Sequence, residues 1–298
     1  MGTPQFAVPT LKALVDAGHE VAAVYTQPDR PKGRGQRLAL SPIKEEALRL
    51  GLPVYQPNRV RHQVEELRAF DAEVMVVVGY GQIIPQTIID LPRHGIINVH
   101  ASLLPKYRGA APIQWAIARG ETVTGVTTMR INAGLDTGDM LLNWETPIGP
   151  EETAVDISPR LAENGAALLL ETLTKIDAIQ PIVQNDAEHT LAPILKKEDG
   201  QIDFTMPAQT ILNRIRGFQP WPGVYTQLRG QRFHVWKART VSLTVPQGHL
   251  HAANKHLYVG CGHLTTLELQ EVQLEGRKRM PVPIFLNGFT LTENELLG

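Results

Sequence analysis

Through about the first 180 residues, short runs of Val and Ile alternate with amphipathic stretches. The runs at 21–25, 74–78, 96–99 and 126–129 are apolar at consecutive positions, the pattern of strands covered on both faces. Between them Val8, Leu11, Leu14 and Val15 share one helical face, and Gly18 stands where a C-cap is expected. Ser41 before Pro42 reads as an N-cap followed by the first helical position, and Gly51 closes that helix. Val60, Val64 and Leu67 repeat the period, and 161–176 reads as a longer helix with Pro159 near its start. Strand and helix patterns in alternation predict βαβ units, hence an α/β doubly wound, mostly parallel sheet with helices on both faces. Such a sheet ordinarily has a strand ahead of its first helix. Here the helix pattern starts at residue 7 or 8, so the first strand is expected to be missing.

From 181 to 200 the pattern turns polar and irregular, with charges at Lys196, Lys197, Glu198 and Asp199. A short helix at 208–216 follows. Apolar–polar alternation then recurs at 223–228, 232–238, 257–259, 264–269 and 272–274, separated by Gly-containing turns. Short strands at this spacing predict a small β-barrel. The expected division is a domain at 1–181, a linker at 182–201 and a second domain at 202–298.

Composition narrows the class. With 43% apolar and 20% charged residues, disorder and coiled coil are excluded for the 298-residue chain as a whole. No apolar run reaches the ~20 residues of a membrane span. The single cysteine, Cys261, rules out an intramolecular disulfide framework and fits a reducing compartment. A cytoplasmic chain without a signal peptide is expected, and an organellar location stays open because the N-terminus reads as short. The net charge of −1 conceals an asymmetry. Residues 1–200 carry 19 Lys/Arg against 24 Asp/Glu, whereas 201–298 carry 10 against 6. A second domain at +4 suits a polyanion, although ten cations also make an ordinary solvated face.

Candidate chemistry gathers at strand ends. Asn98 and His100 are two apart on a strand, so they share a face at the carboxyl end of an apolar run, where open α/β sheets bind ligands. An amide and an imidazole side by side can donate to an oxygen that gains negative charge, and imidazole can move a proton. A core histidine bonded to an asparagine would read the same way. Asp136, between Gly134 and Gly138 after the run at 126–129, could orient His100; alternatively it makes an Asx-turn. Arg30, Lys32, Arg34 and Arg37 against Asp29 give +3 within residues 27–37. Two prolines and two glycines there argue against helix or sheet, which leaves a loop for phosphates or a merely solvated one. Three patterns drop out. Gly79 and Gly81 begin a dinucleotide fingerprint whose third glycine would fall at Ile84. His249, His251, His256, Cys261 and His263 fit no zinc spacing, and Ser102 lacks a hydrolase elbow.

Taken together, Asn98-x-His100-Ala101-Ser102-Leu103-Leu104-Pro105, then Arg108-Gly109-Ala110-Ala111-Pro112-Ile113 and Gly134-Leu135-Asp136-Thr137-Gly138, resemble the active site of the formyltetrahydrofolate-dependent formyltransferases. Gly2-Thr3-Pro4-x-Phe6, the 27–37 loop and Trp221-Pro222 make the likeness strongest to the branch acting on methionyl-tRNA, from residue 2 almost to the end. The resemblance implies a Rossmann-like domain joined to an OB-fold-like barrel. It implies formyl transfer from 10-formyltetrahydrofolate, as co-substrate, to the α-amino group of methionyl-initiator tRNA. Asn98, His100 and Asp136 fall at the catalytic positions, and Ser102, Leu103, Leu104 and Pro105 on the folate-binding stretch. Arg34, flanked by Lys32 and Arg37, falls where the family's loop meets the tRNA acceptor end. No metal, no membrane and a monomer are expected. A nucleotide-sugar formyltransferase, a formyltetrahydrofolate hydrolase and a non-catalytic RNA-binding protein are the rival readings.

Overall fold

Ser41 does what its position predicts: its hydroxyl accepts from Lys44 N at 3.2 Å, Pro42 opens the helix, and Gly51 follows it at φ +70°. Gly18 likewise ends the first helix at φ +80°. The computed structural model describes residues 1–32, 37–292 and 295–298. To residue 174 the chain runs α1 (Val8–Asp16), β1 (Val24–Tyr25), β2 (Arg30–Lys32), β3 (Arg37–Ala39), α2 (Pro42–Arg49), β4 (Val54–Tyr55), α3 (Val64–Ala69), β5 (Met75–Val77), α4 (Gln86–Ile89), β6 (Ile96–His100), α5 (Pro112–Ala118), β7 (Val123–Arg130), β8 (Met140–Pro147) and α6 (Ala154–Thr174). It continues through α7 (Ala208–Gly217), β9 (Val224–Leu228), β10 (Gln231–Val241), β11 (Leu250–Ala253), β12 (His256–Cys261), β13 (Thr265–Leu274), β14 (Met280–Pro281) and α8 (Val282–Asn287). Two compact units emerge. The first comprises Met1–Pro112, Val123–Thr146 and Ser158–Pro193; the second Ile113–Thr122, Pro147–Ile157 and Ile194–Gly298.

In the first unit β1 pairs β4 in parallel, β5 pairs β6 in parallel, and β7 and then β8 extend the sheet beyond β6. The β6–β7 pair is antiparallel, with His100 opposite Thr127. No strand precedes α1 among the described residues, and the first apolar run pairs only at 24–25. Met1 and Gly2 stand in the sheet instead. Gly2 N donates to Tyr25 O and Val78 N to Met1 O, both at 2.9 Å, so two residues join β1 to β5. Farther along, the same facing segments are separated by a cavity of about 430 Å³ lined by Leu11, Leu14, Ala23 and Val74 among others. Of the four apolar positions in α1, only Leu11 is buried.

Three local expectations need correction. Residues 27–37 are not devoid of sheet: β2 and β3 pair antiparallel, Lys32 opposite Arg37. Pro31 is tolerated because the ribbon has only two strands, both of them edges. The long helix starts at Ala154, not 161, with Pro159 inside it. Thr153 and Asp156 cap it there, Thr153 N and Oγ1 both donating to the Asp156 carboxylate. The 182–201 stretch is not free chain. Through Pro193 it belongs to the first unit, bridging Ile182 to Met140 and Leu191 to Arg108.

The second unit holds an antiparallel sheet ordered β11-β12-β13-β10-β9, with β14 on β13. The runs at 264–269 and 272–274 are one strand, β13. The last residues close the circle: Leu297 bridges to Leu228 on β9, and Leu296 to His249 just before β11. The barrel is completed by a segment too short to show a periodicity.

Candidate active site

β6 is buried at all five positions and carries Asn98 and His100 toward its carboxyl end. The two side chains do share a face, because both meet Asp136. Asn98 Nδ2 lies 3.5 Å from Asp136 Oδ1, and His100 Nδ1 lies 3.7 Å from Oδ2. His100 Nε2 is 2.9 Å from Tyr107 O. A carbonyl can only accept, so Nε2 carries a hydrogen and Nδ1 is the nitrogen at which a proton can come and go. The contact to Asp136 is too long for a direct hydrogen bond. The Asn98 amide makes only its one marginal bond among the described residues, so it keeps donor capacity in a buried site.

Asp136 sits at φ +49°, a conformation uncommon for a residue other than glycine. The Asx-turn expected as its alternative role exists, but Asn132 makes it. Asn132 Oδ1 accepts from Gly134 N at 3.0 Å and from Thr137 Oγ1 at 2.8 Å. The Asp136 carboxylate is thereby left for the site, where Oδ2 accepts from Gly109 N at 2.9 Å. Gly138 is required by packing: a Cβ there would lie 1.8 Å from Arg130 O.

The Ser102–Pro105 stretch leaves β6 toward the interior. Ser102 and Leu104 are buried, while Leu103 and Pro105 are half-buried. The Ser102 hydroxyl donates to Lys106 O at 2.7 Å, and Thr127 Oγ1 clamps the turn by donating to Ser102 O and accepting from Leu104 N. The stretch therefore offers shape and backbone rather than a free hydroxyl. Arg34 lies outside the described residues. Lys32 and Arg37 are placed by their backbones at the ends of the paired arms. Asp29, the one acid of that segment, is bound by Lys44 Nζ at 2.5 Å, which holds its carboxyl below the usual range.

Sequence reasoning missed a third layer. Arg108, 4% exposed, donates through Nε to Gln184 Oε1 at 2.9 Å and through Nη2 to Asp186 at 2.8 Å. Gln184 Nε2 donates to Asp136 O at 2.8 Å and to Gly138 O at 2.7 Å. Nothing in the irregular pattern around 184 signals this, since the amide acts on main-chain carbonyls. Among the described residues no group of three or more His, Cys, Asp or Glu side chains is placed to hold a metal ion, the His249–His263 region included. No described helix is long and apolar enough to cross a membrane.

Comparison with known proteins agrees across the chain. Residues 1–173 match the family described as formyl transferase, and 194–290 match the formyl transferase C-terminal domain. The methionyl-tRNA formyltransferase of Koribacter versatilis is 60% identical over 302 residues, covering 100% of this chain and 97% of that protein. That of Solibacter usitatus is 61% identical over 305 residues, again covering 100% and 97%. Among solved structures, the sugar 3N-formyl transferase WlaRD superposes with a TM-score of 0.68 at 18% identity, over 93% of this chain and 97% of that one. The N-formyltransferase of Helicobacter canadensis gives 0.67 at 18%, over 90% and 97%. At that identity the structural likeness shows the fold.

Proposed function

The chain belongs to the formyl transferase family, in its methionyl-tRNA branch, and from that premise we propose that Asn98, His100 and Asp136 carry the transfer of a formyl group from 10-formyltetrahydrofolate to the α-amino group of methionyl-initiator tRNA. One observation supports this reading above the rest: the two oxygens of a single carboxylate face an underbonded amide and the exchangeable nitrogen of an imidazole. A formyl donor and an amine acceptor suit such a set. It supplies N–H donors for an oxygen that gains charge and a carboxylate for a proton that must leave.

The chemistry follows from those groups. As the amine nitrogen bonds to the formyl carbon, negative charge gathers on the formyl oxygen, and Asn98 Nδ2 and protonated His100 donate to it. Asp136 orients His100 and takes up the proton lost by the amine, directly or through water. The bond between the formyl carbon and the folate nitrogen then breaks, and that nitrogen takes the proton that Asp136 had received, which returns Asp136 to its carboxylate form. Tyr107 O contributes by locking the imidazole ring. Ser102, Leu103, Leu104 and Pro105 form the folate-side wall through shape and main chain.

For the acceptor, Arg34, with Lys32 on β2 and Arg37 on β3 to either side of it in sequence, meets the acceptor end of the tRNA, and the 201–298 portion, at +4, meets its backbone. We place the enzyme in the cytoplasm, acting as a monomer. The test is a competition assay in which 10-formyltetrahydrofolate is offered methionyl-tRNA, unacylated tRNA, a nucleotide amino-sugar and water. Formylmethionyl-tRNA as the dominant product is expected. Dominant sugar formylation or free formate would overturn the acceptor assignment.

A further inference from the structure

We propose that Gln184 is a positioning residue for the reaction, holding the 136–138 turn so that the Asp136 carboxylate faces Asn98 and His100. The inference rests on the catalytic reading of Asp136 given above. Gln184 is buried, and every polar atom of its amide is used. Oε1 accepts from Arg108 Nε, and the two hydrogens of Nε2 go to Asp136 O and Gly138 O. The orientation is unambiguous. A flipped amide would set an oxygen against two carbonyls and an NH₂ against a guanidinium.

Main-chain bonds to Asp136 and Gly138 fix the turn on either side of Thr137. They do so where Asp136 holds an uncommon left-handed conformation and therefore needs external support. Arg108 ties the same amide back to the 108–109 segment, whose Gly109 N binds Asp136 Oδ2. A closed circuit results: Gln184 holds the backbone of Asp136, Arg108 holds Gln184, and Gly109, the next residue along, holds the carboxylate. None of these bonds reaches a reacting atom, so Gln184 acts by holding the 136–138 turn and, with it, Asp136. Misplacing a catalytic group by about 1 Å costs up to about 10²-fold in rate.

A double-mutant cycle in single-turnover formyl transfer to methionyl-tRNA tests this, using Gln184→Met, Gln184→Glu, Asp136→Asn and the doubles. Gln184→Glu is nearly isosteric and still accepts from Arg108 but loses both donors, so it remains informative if Gln184→Met fails to fold. Each Gln184 variant is expected to lower kcat about 10- to 100-fold, with KM for methionyl-tRNA within about twofold. In the Asp136→Asn background either should cost no more than about threefold further. Folded single variants with kcat within about twofold of wild type would overturn the proposal, as would penalties that multiply with that of Asp136→Asn. An Asp136→Asn enzyme of nearly full activity would instead overturn the catalytic reading of Asp136 on which the proposal stands.

Discussion

His100 illustrates how much a single carbonyl can decide. With Tyr107 O occupying Nε2, the imidazole has one exchangeable edge, and that edge faces the Asp136 carboxylate. Asn98 and His100 were legible in the sequence because a period of two at a strand end is a strong constraint. Asp136 was legible only as one of two readings. The Asx-turn belongs to Asn132, whose role there no spacing announced. Gln184 was illegible because its partners are backbone atoms. At this scale Gly138 carries a prediction. A methyl group there would lie 1.8 Å from Arg130 O and 2.9 Å from its carbonyl carbon, so the backbone must move and take the turn with it. Gly138→Ala is expected to lower kcat at least about tenfold with little change in KM, and to lower the melting midpoint because overpacking costs about 1–3 kcal/mol of stability. Single-turnover kinetics and thermal melts check both.

Among the elements, the least visible in sequence are the smallest. Met1 and Gly2 join two strands, and residues 295–298 close the barrel, each by a handful of main-chain bonds. The hairpin of β2 and β3 was obscured by its prolines and glycines, and the start of α6 by a proline that usually opens a helix rather than sitting inside it. The closing segment has its own anchor. Glu295 is buried, accepts from Arg229 Nε at 2.9 Å and from Thr292 N and Oγ1, and pairs with Arg229 Nη2. The Arg229 guanidinium, first among these, holds the Glu295 carboxyl down at about 2, against an ordinary value of 4.5. Its stabilising contribution is therefore complete above the unfolded value and is lost as the pH falls toward the folded one. Glu295→Gln should melt a few degrees lower than wild type near neutrality. The gap between the two proteins should narrow steadily between about pH 5 and pH 2. Melting curves across that range check it; a constant gap would mean the carboxylate charge contributes nothing to closure.

Over the whole molecule, charge divides the chain. The acidic 1–200 portion contains Asn98, His100 and Asp136, while the 201–298 portion, at +4, suits the long-range attraction of a polyanion. The alternation of strand and helix, and then of strand and turn, made both halves of this architecture legible. Binding and chemistry are therefore separable by experiment: with both substrates saturating, a single-turnover rate reports the site on β6 and not the capture of tRNA. The most direct test of that site is the single-turnover transfer rate of Asn98→Ala at saturating 10-formyltetrahydrofolate and methionyl-tRNA, with melting checked alongside. A folded variant slowed about 10²–10³-fold is the expected result, the loss that follows removal of one donor to a developing oxyanion. A rate within about fivefold of wild type would contradict the assignment of Asn98 to that oxygen.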